Sequence, residues 1–141
     1  ASEADKSEAL LDKLQNEKSK EYYLTKVDWY NKFGNDRYYV ISTLLDAVAE
    51  HPTWAKAHLM LGLSYYERED NTSAIYYLKK AHLLDPSDGY SLCYLGVISY
   101  DRGSYKAAEE YLGEAEKLAK NDSYLKNIID TYKECVARAV A

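Results

Sequence analysis

An all-α solenoid of helix-turn-helix repeats is the fold class this sequence predicts, and three observations predict it. The first is repetition: residues 55–88, AKAHLMLGLSYYEREDNTSAIYYLKKAHLLDPSD, match residues 89–122 at ten positions. These are Leu61/Leu95, Gly62/Gly96, Tyr66/Tyr100, Arg68/Arg102, Ala74/Ala108, Tyr77/Tyr111, Leu78/Leu112, Ala81/Ala115, Leu84/Leu118 and Asp88/Asp122. Composition alone would give about two such matches. The second is helical spacing of apolar residues, i, i+4, i+7, along most of the chain. The third is punctuation: Gly34-Asn35-Asp36, His51-Pro52, Asp70-Asn71 and Gly103-Ser104 fall between the periodic stretches, where helices stop and restart.

Taken in order, residues 2–17 carry Ser2, Asp5 and Ser7 as N-caps and Leu10, Leu11 and Leu14 as a narrow apolar stripe, which predicts an amphipathic helix. Nothing between Gln15 and Glu21 forces a break, so this helix has room to run into the next. From Glu21 to Phe33 the buried face is Tyr23, Val27 and Tyr30, with Leu24 beside it. Arg37–Glu50 follows as a second helix. Read 34 residues back from the central unit, Val40 falls on Ala74, Leu44 on Leu78, Ala47 on Ala81 and Pro52 on Pro86. A weaker copy therefore precedes the other two. Its turn is about one residue longer, since Gly34 stands six residues before Val40 and Gly103 five before Ala108.

The central copy reads as helices over Trp54–Arg68 and Thr72–Leu84, the last as Gly89–Asp101 and Tyr105–Lys120. The last copy ends in Lys120-Asn121 where the central one has Pro86, which predicts a tighter hand-over into Ser123–Val140. In that final helix Leu125, Ile129, Tyr132, Val136 and Val140 share one stripe. A repeat stack needs such a terminal helix with a polar outer face to cover its last apolar surface. The chain thus reads as one domain: an N-terminal helix over 2–17, repeats over 21–54, 55–88 and 89–122, and a capping helix over 123–141.

The 141 residues suffice for a continuous core without metals or disulfides. A net charge of −5 argues against a nucleic-acid footprint, which needs clustered Lys and Arg. No run approaches the roughly 18 apolar residues of a membrane span, so no membrane insertion is expected. A chain opening on Ala1 leaves room for a leader already removed, so an exported form stays open beside a cytoplasmic one. His51, His58 and His82 do not converge, and no metal or cofactor is expected. With no phosphate loop, no nucleophile with a base at motif spacing and no His-carboxylate cluster, the sequence does not read as an enzyme. Runs such as Glu109-Glu110 read as solvated faces. Asn71-Thr72-Ser73 and Asn121-Asp122-Ser123 match a glycosylation acceptor pattern, but both open helices, where Asn and Ser cap free N–H groups.

The residues Leu61-Gly62, Tyr65-Tyr66, Ala74, Leu78, Ala81 and Pro86, and in the next copy Leu95-Gly96, Tyr100, Ala108, Leu112 and Ala115, resemble the tetratricopeptide repeat over about residues 21–122. Where that family often has Trp early in helix A, this chain has Tyr23, His58 and Leu92, so His58 reads as a core or interface residue. The resemblance implies a right-handed superhelix whose A helices line a concave groove that holds a protein or peptide partner. The groove residues it implies are Leu24, Asp28 and Asn31 in the first copy and Lys56, Leu59, Met60, Leu63, Tyr66 and Glu67 in the second. In the third they are Tyr90, Cys93, Tyr94, Val97, Tyr100 and Asp101. Leu59, Leu63, Tyr66, Val97 and Tyr100 would make an apolar, tyrosine-edged trough for a helix or extended segment, unless a terminal helix covers part of it.

Glu67 and Asp101 would favour a basic residue on the partner. Family members that grip a chaperone's C-terminal carboxylate use Lys, Asn and Arg here. Leu24, Asp28, Met60, Tyr90 and Tyr94 occupy the matching places, so that clamp is absent. The resemblance extends to type III secretion chaperones for translocator proteins, and self-assembly through the N-terminal helix is a third reading. If the last helix keeps the repeat phase, Cys135 lies about two turns beyond Cys93, too far for a bridge. Two free thiols are expected.

Overall fold

The computed structural model describes residues 2–14, 19–34 and 37–141. The helices are α1 (Glu3–Leu14), α2 (Lys20–Trp29), α3 (Arg37–Glu50), α4 (Ala55–Glu67), α5 (Asn71–Leu84), α6 (Gly89–Asp101), α7 (Tyr105–Ala119) and α8 (Ser123–Val140). Their first residues carry one period through the chain. Helices α1, α3, α5 and α7 begin at 3, 37, 71 and 105, and α4, α6 and α8 at 55, 89 and 123, so each is 34 after the last. Helix α1 therefore stands in the register of a second-of-pair helix, and α8 in that of a first-of-pair helix.

The sequence leaves open whether the N-terminal helix runs into the first repeat, and the structure shows a separate start for α2. Ser19 is extended (φ −72°, ψ 167°) and its hydroxyl accepts from the Tyr22 N–H, which gives α2 its own N-terminus. Residues 15–18, where the join would be, lie outside the described residues, as do Asn35 and Asp36 of the expected turn. The extra residue of the first copy appears as a π-helical turn, Tyr30–Gly34, at the end of α2. Such a turn absorbs one additional residue by closing i→i+5 bonds.

Within each later pair, close approach explains the glycines. A Cβ on Gly62 would lie 2.8 Å from the Leu78 Cγ, and one on Gly96 2.8 Å from the Leu112 Cγ, the same contact one repeat on. Ala74, Ala81, Ala108 and Ala115 are buried on the facing helices, with Leu61, Leu78 and Leu112 filling the space between. The core is weighted toward the C-terminal part: its largest buried cluster runs from Ala74 to Val136, and smaller ones form around Val27, Leu44 and Leu61 and around Tyr23, Ala47 and Ala57.

Helix ends follow local chemistry. Asp70, Asp88 and Asp122 cap α5, α6 and α8 by accepting from the N–H groups of Ser73, Tyr90 and Leu125. These aspartates hold the capping role, which corrects the expectation that Asn71 and Asn121 would. Helix α4 ends in a Schellman motif, with Glu69 N–H on Tyr66 C=O at 2.9 Å and Asp70 N–H on Tyr65 C=O at 3.0 Å. Helix α6 ends identically, with Gly103 on Tyr100 and Ser104 on Ser99. The pivot is left-handed in both, at Glu69 (φ 63°) and Gly103 (φ 77°). Three residues, 120–122, join α7 to α8, against four between α5 and α6, so the hand-over without proline is the tighter one.

Candidate functional site

The concave face is built from one side each of α2, α4, α6 and α8, and its character changes along the stack. Between α2, α3 and α4 lies a cleft of about 200 Å³ lined by Val27, Asn31, Val40, Leu44, Met60, Leu63, Ser64 and Glu67. Its floor is aliphatic, and Ser64 is already satisfied by donating to the Met60 carbonyl at 2.9 Å. A second, wider depression of about 430 Å³ adjoins it, sharing Glu67 and adding Tyr66, Glu69, Asn71 and Asp101. The structure thus brings Asn31, Met60, Leu63 and Glu67 together, and Tyr66 and Asp101 beside them.

Other expected groove residues are placed differently. Cys93 and Val97 are 0% and 1% exposed, packed in one cluster with Leu125, Ile129 and Val136 of α8. They are core, and no partner reaches them while α8 is in place. Leu59 is half-buried against the same cluster. Leu24 is half-buried and Lys56 exposed. Asp28 pairs with Lys32 at 3.4 Å, and Lys32 reaches Glu3 of α1 at 3.3 Å, so the acid is engaged in holding α1 alongside α2.

The tyrosines form a belt across α4, α6 and α8. Tyr66 packs on Tyr94 with centroids 5.8 Å apart, and its hydroxyl lies 3.5 Å from Asp101 Oδ2. Tyr100 packs against Tyr105 and Tyr132, each at 5.8 Å. The Tyr90 hydroxyl donates to Asp122 Oδ2 at 2.6 Å, tying α6 to the cap of α8. Burial raises the Tyr66 phenol strongly, with Tyr132 and Asp101 adding to it. Burial also pushes Tyr94 up to about 12, with Tyr124 contributing, and Tyr90 up to about 12, with Asp122 contributing. The Cys93 thiol is pushed up to about 12 by burial alone. These rings stay neutral at ordinary pH.

Among the described residues, no group of three or more His, Cys, Asp and Glu stands close enough to hold a metal ion. His58 is buried, with Nε2 2.9 Å from the Pro52 carbonyl and its ring stacked on Tyr77, the core role expected of it. Both cysteines are free, Cys93 buried and Cys135 half-buried. No helix is long and apolar enough to cross a membrane, again among the described residues.

No family model and no curated protein matches the chain. Among solved structures, the TPR domain of Sgt2 from Aspergillus fumigatus is similar over 99% of this chain and 82% of its own, with a TM-score of 0.62 at 17% sequence identity. The fold is that of a tetratricopeptide repeat domain. In TPR terms α2, α4, α6 and α8 are A helices and the others B helices, so the solenoid runs half a repeat past the three copies at each end.

The half repeats account for most of what sequence reasoning missed. Tyr124 and Tyr132 of α8 belong to the tyrosine belt, yet α8 was read only as a cap. The signal was available, since Tyr124 stands 34 residues after Tyr90. Val27, Val40, Leu44, Ser64 and Glu69 were also missed. They line the two depressions from the sides, where a reading restricted to outward-facing A-helix positions does not look.

Proposed function

We propose that this TPR domain is a protein-interaction module that takes an apolar segment of a partner on its concave face. The observation that supports this reading is the cleft between α2 and α4: an aliphatic floor open to the groove, beside an acidic mouth. At about 200 Å³ it is smaller than the roughly 300–1,000 Å³ of a typical small-molecule pocket. One or two side chains of a peptide suit it better than a metabolite. An interaction module of this kind has no need of catalytic groups.

Peptides selected by display against the immobilised domain should lose binding when Leu63 is replaced by Glu, with helical circular dichroism retained. Leu83→Glu serves as control, because Leu83 is 72% exposed on α5 and outside both depressions. Equal loss in both variants, or in neither, contradicts the groove reading. Leu63 is a better probe than Tyr100, whose contacts with Tyr105 and Tyr132 would be broken by a charge. A secretion-chaperone role is one form of this reading, with an unfolded partner segment as occupant. Light scattering that showed a concentration-dependent dimer would favour the self-assembling scaffold instead.

A further inference from the structure

The cleft between the first and second copies has a counterpart one repeat on, and the two are not alike. Its liners Met60 and Ser64, shifted by 34, become Tyr94 and Ile98. Asn31, which precedes the extra residue of the first copy and so shifts by 35, becomes Tyr66. Each is larger, whereas Val27, Val40 and Leu63 become the smaller Gly62, Ala74 and Val97. Tyr66 packs on Tyr94 with centroids 5.8 Å apart, Ile98 is 1% exposed, and Leu78 and Val97 are buried beside it. At the first junction the same floor, Val40 and Leu44, meets half-buried Met60, Leu63 and Ser64 and exposed Asn31 on the side of the cleft. The cleft is therefore a place where the next junction carries Tyr94 and Ile98 and this one carries the smaller Met60 and Ser64.

Resting on the groove reading above, we propose that this cleft is filled by one apolar side chain of an extended partner segment whose residue two positions on is Arg or Lys. Size argues for a single anchor: an apolar cavity of about 150 Å³ accepts benzene, so about 200 Å³ takes one branched or ring side chain. A partner helix would present anchors at i, i+4 and i+7, but α8 has closed the positions at Cys93 and Val97 where further anchors would sit. An extended chain needs one pocket, and its free backbone groups find the Asn31 amide and the tyrosine hydroxyls at the rim.

Charge fixes the neighbour. Successive side chains of an extended chain point to opposite faces, so i and i+2 point the same way about 6.5–7 Å apart. Next to the cleft, across their shared wall at Glu67, the mouth carries Glu67, Glu69 and Asp101. It also receives the C-terminal ends of α4 and α6 and, at Asn71, the N-terminal end of α5, so helix-end charges of both signs meet there. Arg68 and Arg102, which end the same helices, line neither depression. A guanidinium matches such carboxylates with paired hydrogen bonds.

The test uses the whole chain and a short fluorescent peptide carrying Leu and, two positions on, Arg, with Pro at both flanks to hold it extended. Partners for comparison are the same peptide with Glu for Arg, and an amphipathic helical peptide with Leu at i, i+4 and i+7. Anisotropy should show binding of the Leu/Arg peptide, weakened about five-fold by the Glu replacement at low salt and less so in about 0.5 M NaCl. The variant Asn31→Tyr with Ser64→Ile, which installs the residues of the next copy, should weaken binding at least ten-fold while its Tm stays level or rises. Should that variant fail to fold, Glu67→Lys with Asp101→Lys, both at exposed positions, must reverse the preference toward the Glu peptide.

Equal binding of the Arg and Glu peptides, or undiminished binding to a folded, filled variant, overturns the proposal. So does binding of the helical peptide alone, an outcome that leaves the groove reading standing. Neither peptide binding up to about 1 mM overturns both.

Discussion

Two junctions of one solenoid, between the first and second copies and between the second and third, are built on the same frame and finished differently. Val40 and Leu44 correspond to Ala74 and Leu78, all four buried. Above that frame the second junction carries Tyr66, Tyr94 and Ile98, and the first carries the smaller Asn31, Met60 and Ser64, which line the cleft. The lesson is that repetition in a TPR stack specifies the scaffold, and departures from it specify what the scaffold holds. The extra residue in the π-helical turn of α2 falls at the same open junction, and turns of that kind recur at functional sites.

The comparison can be broken most sharply from below. Leu78→Ala at the filled junction should cost about 3–5 kcal/mol, and Leu44→Ala at the open one about 2–3, because Leu44 already borders empty space and loses fewer contacts. Urea unfolding of the two variants checks this, and equal costs would mean the junctions are packed alike. Ile98→Ser, which copies Ser64 into the closed junction, should cost about 2–4 kcal/mol. Ser64→Ile, the reverse change, should be neutral or stabilise by up to about 1 kcal/mol.

The turns give a smaller contrast. Glu69 and Gly103 occupy the same left-handed position, which suits glycine. Glu69→Gly should stabilise by up to about 1 kcal/mol, and Gly103→Ala should lose about as much. Thermal melts that ranked them the other way would contradict the Schellman assignment.

The smallest effects are in pH dependence. The Tyr90 hydrogen bond, and then the Leu125 N–H, hold Asp122 below the usual carboxylate range. A lowered folded pKa means stability present above the unfolded value of about 3.9 and lost as pH falls through the folded one. Tyr90→Phe should flatten that acid loss. Tyr90 and Tyr94 are raised to about 12, so their contribution is complete below about pH 10 and fades as pH climbs toward 12. Melts across acid and alkaline series check both limbs.

The scaffold was legible in the sequence because its signals are local or strictly periodic. Gly62 and Gly96 face Leu78 and Leu112 as the repeat requires, and the helix ends fall within a few residues of Pro52, Asp70 and Gly103. That a terminal helix could cover part of the trough was legible, but not that Cys93 and Val97 would be the residues buried, since this depends on how α8 packs back onto α6, a contact between distant stretches. The extra residue of the first copy was visible, but not that α2 would take it up as a π-helical turn. The open cleft was in principle readable: comparing volumes, and not identities, at the 34-residue offset sets Met60 against Tyr94 and Ser64 against Ile98.

The most direct measurement follows methyl signals of the labelled chain by NMR while the extended Leu/Arg peptide is added. Shifts should concentrate at Val27, Leu44, Met60 and Leu63 around the open junction, with Leu78, Val97, Ile98 and Leu112 nearly still. Larger shifts at the second set, or a spread over both, would contradict the claim that the unfilled place in the repeat is where the partner sits.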